Sequence, residues 1–320
     1  MMELWQIILI VIASVLFIFM ILYLIFLHKL FNILFKRLKK EVLLTDIDLE
    51  KTRYKPFMDM VTRNMNVFSL IPYYKVSIIS KDGLKLYGKY YKNNNSDKLA
   101  IFFHGYHADP LNNVNTPGLK LLNDGYNLLV VYQRGHGLSE GKYITFGVKE
   151  KEDALEWIDF VNKEYKPKEI LLWGVSMGCA TIEMTSDRLP SNVIAMVLDC
   201  GFSGAYEEVS YSIQRKIKIK PRIGMFFISI IAKIHGFKLE KNMSLKSLSK
   251  TRVPAFFIHG LKDEMVPLNM GQMNYNACSS KKEMVLVDTA HATSIYVLYQ
   301  DIIKKLDKFL EENRGCENWL

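Results

Sequence analysis

Residues 170–180, which read ILLWGVSMGCA, constrain the fold of this chain more than any other stretch. A short apolar strand runs into Gly174-Val-Ser176-Met-Gly178, and a helical sequence begins directly after it. Such a strand–turn–helix unit holds its serine in a strained conformation, with the hydroxyl exposed at the strand's end. A side chain in place of Gly174 or Gly178 would collide with the neighbouring strand or helix. The stretch therefore predicts Ser176 as a nucleophile.

A second pentapeptide of the same form, Gly137-Leu-Ser139-Glu-Gly141, lies in a glycine-rich loop. Several residues separate it from the preceding apolar strand, and Tyr143-Ile-Thr-Phe rather than a helical sequence follows it. Because the pattern alone is not specific, the flanking elements must decide between the two serines. They favour Ser176 over Ser139.

Apolar strands alternate with helical segments through most of residues 75–320. The predicted strands are residues 75–80, 84–91, 99–103, 127–132, 169–173, 193–198, 253–258 and 283–287. The predicted helices are residues 111–124, 148–165, 179–189, 267–277 and 294–313. Strands and helices at this spacing imply an α/β fold with a mainly parallel sheet covered on both faces.

Residues 202–250 break this alternation and contain a very apolar segment, residues 223–234, between basic ends. That segment is too short to span a bilayer. We interpret residues 202–250 as a cap over the active site, with an apolar face for an acyl chain or for the membrane. An ordinary packed helix is the alternative.

The amino-terminal stretch, residues 4–27, carries no charged residue and is almost wholly apolar. A helix of about two dozen residues rises ~36 Å, which exceeds the ~30 Å hydrocarbon core of a bilayer. A cleaved signal peptide has a positively charged amino-terminal region and small residues at its cleavage site. Here Glu3 precedes the apolar stretch and His28-Lys29 follows it. The stretch predicts a membrane anchor.

Basic residues cluster on the carboxyl side of the anchor; they are Lys29, Lys36, Arg37, Lys39 and Lys40. The positive-inside rule then places the large domain in the cytoplasm, and the opposite topology stays open. Residues 31–44 form a basic, amphipathic stretch that we expect on the bilayer surface. The domains expected are an anchor with its basic segment at residues 1–40, a connector at 41–74 and the α/β domain at 75–320.

The net charge of +9 and the cysteine content limit which partners and cofactors the chain is expected to have. No basic stripe with interleaved aromatic residues and no nucleic-acid motif accompanies the charge, so anionic lipid is favoured over nucleic acid. The four cysteines contain no C-x-x-C pair and indicate free thiols rather than a metal site or disulfides. They are Cys179, Cys200, Cys278 and Cys316. No metal or cofactor is expected, and nothing in the sequence specifies an oligomeric state.

A serine hydroxyl needs a base to take its proton and an acid to orient that base. After an elbow of this kind the chain order is serine, acid, histidine. Of the seven histidines, His291 follows both the elbow and the last strand, whereas His235 lies in the cap and His259 precedes the best acid. His291 is therefore the predicted base.

The predicted acid is Asp263, which comes just after the strand at residues 253–258. Asp199, at the end of the strand before it, is the rival, and Glu264 and Asp288 are weaker candidates.

Two backbone N–H groups must stabilise the tetrahedral intermediate of acyl transfer. One is expected from Met177, the residue after the nucleophile. The other is expected from the loop after the strand at residues 99–103, with Tyr106 the candidate.

The chain resembles the serine aminopeptidase and monoacylglycerol-lipase-like branch of the α/β-hydrolase family. The resemblance begins near residue 75 and is carried by Asp82-Gly83-Leu84 with Leu86 and Gly88, His104-Gly105, Arg134-Gly-His-Gly137-x-Ser139, Gly174-x-Ser176-x-Gly178, His259-Gly260-x-x-Asp263-x-x-Val-Pro267 and Asp288-x-x-His291. Gln133 departs from the acidic residue that usually precedes the arginine of that loop. The resemblance implies the fold and the triad, but not a substrate.

We therefore expect a membrane-anchored serine hydrolase that acts on a small-molecule carboxylic ester, with a lipid-derived acyl group suggested by the anchor and the apolar cap. A peptidase is the first alternative, and Glu207 and Glu208 are its candidates for binding a substrate amino terminus. The second alternative is a non-catalytic membrane protein that uses the fold for interaction.

Overall fold

The computed structural model describes residues 3–38, 52–93, 96–218 and 220–313, and an eight-stranded sheet forms its centre. The strands are β1 (Tyr74–Ile79), β2 (Lys85–Tyr91), β3 (Lys98–Phe103), β4 (Asn127–Val131), β5 (Glu169–Val175), β6 (Val193–Asp199), β7 (Ala255–Gly260) and β8 (Lys282–Val287). Their order is β1-β2-β4-β3-β5-β6-β7-β8. Only the pairs β1–β2 and β2–β4 are antiparallel in this sheet. The predicted mainly parallel sheet is confirmed.

Helices cover both faces of the sheet and extend beyond it. They are α1 (Leu4–Phe35), α2 (Met58–Ser69), α3 (Pro110–Asn123), α4 (Glu150–Glu164), α5 (Met177–Glu183), α6 (Ala205–Ile217), α7 (Arg222–Ile234), α8 (Met243–Leu248), α9 (Leu268–Ala277), α10 (Ser294–Val297) and α11 (Tyr299–Asn313). On β5, Leu171 and Trp173 face a core shared with α2, α3 and α11, whereas Ile170 and Leu172 face a core shared with α4 and α5. This two-residue alternation is what a strand buried on both faces requires.

The region predicted as a cap, residues 202–250, forms α6, α7 and α8. A third apolar cluster joins these helices to the elbow, because Met177 packs in the same cluster as Val209 and Met225. The cap therefore lies directly beside the residue that follows the predicted nucleophile.

The amino-terminal helix α1 has an exposed part and a buried part. Its large apolar side chains from Leu4 to Phe26 are exposed, whereas Leu27, Phe31 and Phe35 are buried against the cap. The helix is long and apolar enough to cross a membrane. The expectation that residues 31–44 lie on a bilayer surface is wrong for the buried residues, because they pack on protein; Lys39, Lys40 and residues 41–51 lie outside the described residues.

Two predicted helices have different bounds in the structure. The helix after the elbow ends at Glu183 rather than near residue 189, where Thr185 and Ser186 hydroxyls donate to the Ile182 and Glu183 carbonyls and compete with the helical ladder. The single helix expected over residues 294–313 is divided into α10 and α11, because Leu298 adopts a non-helical conformation with φ −121° and ψ 45°.

Candidate active site

The elbow forms where β5 meets α5. Ser176 has φ +55° and ψ −113°, a left-handed conformation that side chains rarely adopt, and its N–H donates to the Asp199 carbonyl oxygen at 2.8 Å. A Cβ on Gly174 would lie 2.6 Å from the backbone of α5, and one on Gly178 would collide with the Phe103 carbonyl group. Both glycines are therefore required by the close approach of backbone to backbone.

Ser176, His291 and Asp263 lie in one chain of hydrogen bonds. The Ser176 hydroxyl donates to His291 Nε2 at 3.0 Å, and His291 Nδ1–H donates to Asp263 Oδ2 at 2.6 Å. The three residues follow β5, β8 and β7, whose carboxyl ends meet at one edge of the parallel sheet. Asp263 and His291 are buried. A buried carboxylate of this kind orients the imidazole and stabilises the imidazolium form.

The other oxygen of the Asp263 carboxylate is also held. Oδ1 accepts the backbone N–H groups of Met265 and Val266, each at 2.9 Å. Beside it, His259 Nε2–H donates to the Val266 carbonyl oxygen at 3.0 Å, and burial lowers the pKa of His259. His259 therefore supports the loop that carries Asp263, although the sequence indicated only that it was a poor candidate for the base.

The structure separates the other acid candidates from His291. Asp199 is buried at the end of β6, where burial first and the Asp263 charge second raise its pKa to about 7. Its Oδ1 is buried without a hydrogen-bond partner in the described part of the chain. Asp288 forms an exposed ion pair with Lys262 at 2.8 Å, and Glu264 is exposed. The hydrogen bond from His291 goes to Asp263.

Ser139 occupies a wholly different environment from Ser176. It is buried, its hydroxyl donates to the Tyr132 carbonyl oxygen at 2.6 Å, and the Tyr87 N–H donates to the same hydroxyl at 2.8 Å. The hydroxyl therefore links a loop to β2. It holds that loop in place and contacts no histidine among the residues described.

The loop after β3 carries the predicted oxyanion donor Tyr106. The N–H groups on either side of Tyr106 are engaged, because that of Gly105 donates to Asn113 Oδ1 at 2.9 Å and that of His107 donates to His136 Nε2 at 3.0 Å. The Tyr106 N–H lies between these two anchored positions. Met177, the other predicted donor, is the first residue of α5, where an N–H has no partner within its own helix.

Two buried imidazoles hold the loop after β3 in place. His104 Nδ1–H donates to the Gly105 carbonyl oxygen at 2.7 Å, and its Nε2 accepts the Gln133 N–H at 3.1 Å. His136 accepts from His107 through Nε2, so both rings act as neutral donor–acceptors. Burial lowers the pKa of His104 to about 4 and that of His136 well below its usual value. The rings therefore stay neutral near pH 7.

The loop from Gln133 to Gly137 is fixed by charge as well. Arg134 makes hydrogen bonds of 2.6–3.0 Å to the carboxylates of Asp82 and Asp153, and the hydrogen bonds from Arg134 hold the pKa of Asp82 well below its usual range. Gln133 donates to the His104 carbonyl oxygen and accepts from Thr181. Gln133 therefore joins the loop to β3 and α5 without a carboxylate.

The two cap carboxylates of the peptidase alternative have protein partners. Glu208 is buried, accepts the Ser212 hydroxyl at 2.9 Å, and has its pKa raised to about 8 by burial. Glu207 accepts the Asn242 N–H at 3.1 Å. Neither residue lines the cavity that contains Ser176.

That cavity has a volume of about 200 Å³ and opens beside Ser176 and His291. Tyr106 and Met265 form part of its wall, and Arg53 lines it from the segment before α2. Sequence reasoning missed Arg53, because it lies in a connector without a motif and far from the triad in the chain.

One group of possible metal ligands overlaps the triad. Cys200, Asp263 and His291 offer donor atoms that lie within 4.8 Å of one another, with Cys200 Sγ 3.9 Å from His291 Nε2. Asp263 and His291 already bond to each other. Burial raises the pKa of the Cys200 thiol well above its usual value, which disfavours the thiolate that a metal requires.

Known proteins resemble this chain in sequence and in fold. Residues 94–236 match the family model described as Serine aminopeptidase, S33, and the match ends before Asp263 and His291. Among solved structures, the Pyrococcus furiosus esterase Pf2001 is similar, with a TM-score of 0.63 and 25% identity, covering 79% of this chain and 96% of that chain.

Two curated relatives are more distant in sequence. Lysophosphatidylserine lipase ABHD12 of Danio rerio is 24% identical over 164 residues, which cover 50% of this chain and 41% of that protein. An uncharacterized membrane protein of Saccharomyces cerevisiae, YNL320W, is 22% identical over 244 residues, covering 73% of this chain and 79% of that protein.

Proposed function

We propose, from the premise that this chain belongs to the α/β-hydrolase family, that it is a membrane-anchored serine esterase. Ser176 is the nucleophile, His291 the general base and acid, and Asp263 the residue that orients His291. The observation that carries the proposal is the hydrogen-bonded chain from Ser176 through His291 to Asp263, with the serine at a strained elbow.

The first half of the reaction forms an acyl-enzyme. Ser176 Oγ attacks the ester carbonyl carbon while its proton passes to His291 Nε2. The negative charge that develops on the carbonyl oxygen is stabilised by the N–H groups of Met177 and Tyr106. His291 then gives its proton to the leaving alcohol oxygen, and the bond from carbon to that oxygen breaks.

The second half releases the acid. A water molecule loses a proton to His291 and attacks the acyl carbon, and the new oxyanion is held by the same two N–H groups. The bond to Ser176 Oγ breaks as His291 returns the proton to it. Asp263 stabilises the imidazolium in both halves.

Two observations favour an ester over a peptide substrate. The Pyrococcus furiosus relative is an esterase and the Danio rerio relative is a lipase. In addition, Glu207 and Glu208 bond to the protein itself and lie outside the cavity beside Ser176. Because the matched family model is named for a serine aminopeptidase, an amide substrate is also tested.

The membrane assignment is supported by α1 and by the cap. Large apolar side chains from Leu4 to Phe26 are exposed on α1. An exposed apolar surface of this size is unfavourable in water and typical of a membrane contact. The neighbouring helix α7 exposes Ile223, Phe226 and Ile234 on one side. Lys29, Lys36 and Arg37 follow the exposed part of α1, so the positive-inside rule places the catalytic domain on the cytoplasmic side.

A fluorophosphonate probe tests the nucleophile, because it reacts with an activated serine. We expect labelling of the detergent-solubilised chain to be lost in Ser176→Ala and kept in Ser139→Ala. A separate sample of the unlabelled wild type is given a short-chain 4-nitrophenyl ester and an aminoacyl 4-nitroanilide. Faster turnover of the anilide would replace the esterase with a peptidase, and a folded wild type without labelling would remove the hydrolase proposal.

A further inference from the structure

An arginine lines the cavity beside Ser176, and it has no acidic partner among the residues that the structure describes. Arg53 lies just before α2 and reaches the same 200 Å³ cavity as Ser176 and His291. Its Nη1 donates to Met265 Sδ at 3.2 Å and its Nη2 to the Tyr54 hydroxyl at 3.4 Å. Both acceptors are neutral and the thioether sulfur is a weak one, so these contacts use little of what a guanidinium can bind.

Other arginines of this chain form hydrogen-bonded ion pairs with carboxylates. Arg134 is bidentate to two carboxylates, and Arg188 makes two hydrogen bonds of 2.7 and 3.1 Å to Glu152. Within the described ranges, no carboxylate forms an ion pair with Arg53. Arg53 therefore presents a permanent positive charge and unused donors to the space in which a substrate must lie.

The position of Arg53 is fixed by its neighbour. Its guanidinium carbon lies 5.0 Å from the centre of the Tyr54 ring, and Tyr54 is buried against Tyr296 with ring centres 6.0 Å apart. A cation held over an aromatic face loses less freedom when it binds a ligand than one on a mobile side chain. Arg53 is exposed, and its guanidinium lies over a ring that is itself packed in the core.

Among the residues described, the remaining wall of the cavity contains no carboxylate. His107 lines it, but burial lowers the pKa of His107 to about 4, which leaves that ring neutral. The other polar lining residues include the amides Asn112 and Asn113. Arg53 is therefore the permanently charged side chain among the described lining residues.

We propose that Arg53 binds a carboxylate or phosphate group on the ester substrate, so that the enzyme prefers anionic esters to neutral ones. The inference rests on the proposed function, because it places the scissile carbonyl at Ser176. Planar, bidentate donors suit both kinds of oxyanion. The contact is the same before and during the chemical step, so its loss should raise KM more than it lowers kcat.

Two matched substrate pairs test the charge and distinguish its source. The first pair is 4-nitrophenyl butyrate and 4-nitrophenyl hemiglutarate, which differ by a carboxylate on the acyl part. The second pair is a monoacylglycerol and its 3-phosphate, which differ by a phosphate on the alcohol part. We expect the wild type to prefer the anionic member of at least one pair, and the preference to weaken as salt is added.

The variants are Arg53→Gln, Arg53→Lys and the control Arg63→Gln. We expect Arg53→Gln to lower kcat/KM for the preferred anionic ester roughly 10- to 100-fold, with the neutral ester changed by less than about threefold. Arg53→Lys should restore part of the preference because it keeps the charge. Arg63 is exposed on α2 outside this cavity, so Arg63→Gln should match the wild type.

The outcomes separate the two proposals. If the wild type hydrolyses esters but shows no preference for an anionic member, or if Arg53→Gln slows both members of a pair equally, the assignment of Arg53 is wrong and the esterase remains. If the wild type neither reacts with the fluorophosphonate nor hydrolyses any of the four esters, the esterase proposal fails and this inference fails with it. Probe labelling of Arg53→Gln shows that the variant is folded.

Discussion

Two pentapeptides of the form Gly-x-Ser-x-Gly occur in this chain, and their serines differ in what their hydroxyls can reach. The Ser139 hydroxyl is used on both sides by backbone groups of Tyr132 and Tyr87. The Ser176 hydroxyl instead donates to His291, from a residue with φ +55° at the end of a parallel strand. The same five-residue pattern therefore fixes a loop in one place and presents the proposed nucleophile in the other, and the neighbouring strand decides which.

The largest effect that would separate the two serines is on turnover. We expect Ser176→Ala to lower kcat by about 10⁴- to 10⁶-fold, because the group that attacks the substrate is removed while the oxyanion donors remain. Hydrolysis of a 4-nitrophenyl ester measures the loss, and circular dichroism checks the fold. Ester hydrolysis that survives Ser176→Ala at a tenth of the wild-type rate would make the two pentapeptides equivalent and the comparison void.

The next effect is on stability and belongs to Ser139. We expect Ser139→Ala to lower the free energy of unfolding by about 1–2 kcal/mol, since it removes the acceptor of the part-buried Tyr87 N–H and the hydroxyl that donates to the Tyr132 carbonyl oxygen. Denaturant titration in detergent measures this change, and turnover per folded molecule should stay within about threefold of the wild type. Unchanged stability together with lost turnover would reverse the roles assigned to the two serines.

The smallest effect depends on pH and concerns Asp199, whose carbonyl oxygen accepts the Ser176 N–H. Its folded pKa of about 7 exceeds the ordinary value of 3.8, so the folded state holds a proton that the unfolded chain loses. Stability from this group is therefore full below about pH 4 and is lost as the pH rises towards 7. Asp199→Asn cannot ionise, so we expect it to be more stable than the wild type by about 1–2 kcal/mol at pH 8.

Unfolding titrations of wild type and Asp199→Asn at pH 4 and pH 8 measure this difference. The gain should vanish at the lower pH, where the wild-type carboxyl is already neutral. Asp159→Asn, which removes an exposed carboxylate on α4, is the matched control and should show no such gain. A gain of equal size at both pH values would mean that Asp199 is not a titrating buried acid.

The elements that the sequence predicted well are those set by local pattern. Strand periodicity and the glycines at the elbow are recognised over short stretches, and they predicted the sheet and the turn at Ser176. The chain order of serine, acid and histidine then predicted Asp263 and His291. The rival acid Asp199 could not be dismissed in the same way, because it also ends a strand. Only the position of His291 beside Asp263 separates the two.

Features that depend on distant packing were out of reach. Arg53 lines the cavity beside Tyr54, which packs on Tyr296, a contact across most of the chain that no local pattern indicates. Phe31 and Phe35 have the same hydropathy whether they face lipid or protein, so the sequence could not place them against Phe237. The break at Leu298 likewise lies within an uninterrupted helical pattern.

The junction between α1 and the α/β domain contains several direct hydrogen bonds. The Arg37 guanidinium donates to the carbonyl oxygens of Gly137 and Ser139, and Tyr106 donates its hydroxyl to the Leu34 carbonyl oxygen at 2.7 Å. The Ile144 N–H also donates to the Phe35 carbonyl oxygen at 2.7 Å. A helix joined in this way holds the α/β domain at a defined orientation. With α1 in a bilayer, the distance of Ser176 from the membrane surface is therefore set by the helix, and a tilt of α1 would turn the loop after β3 by the same angle.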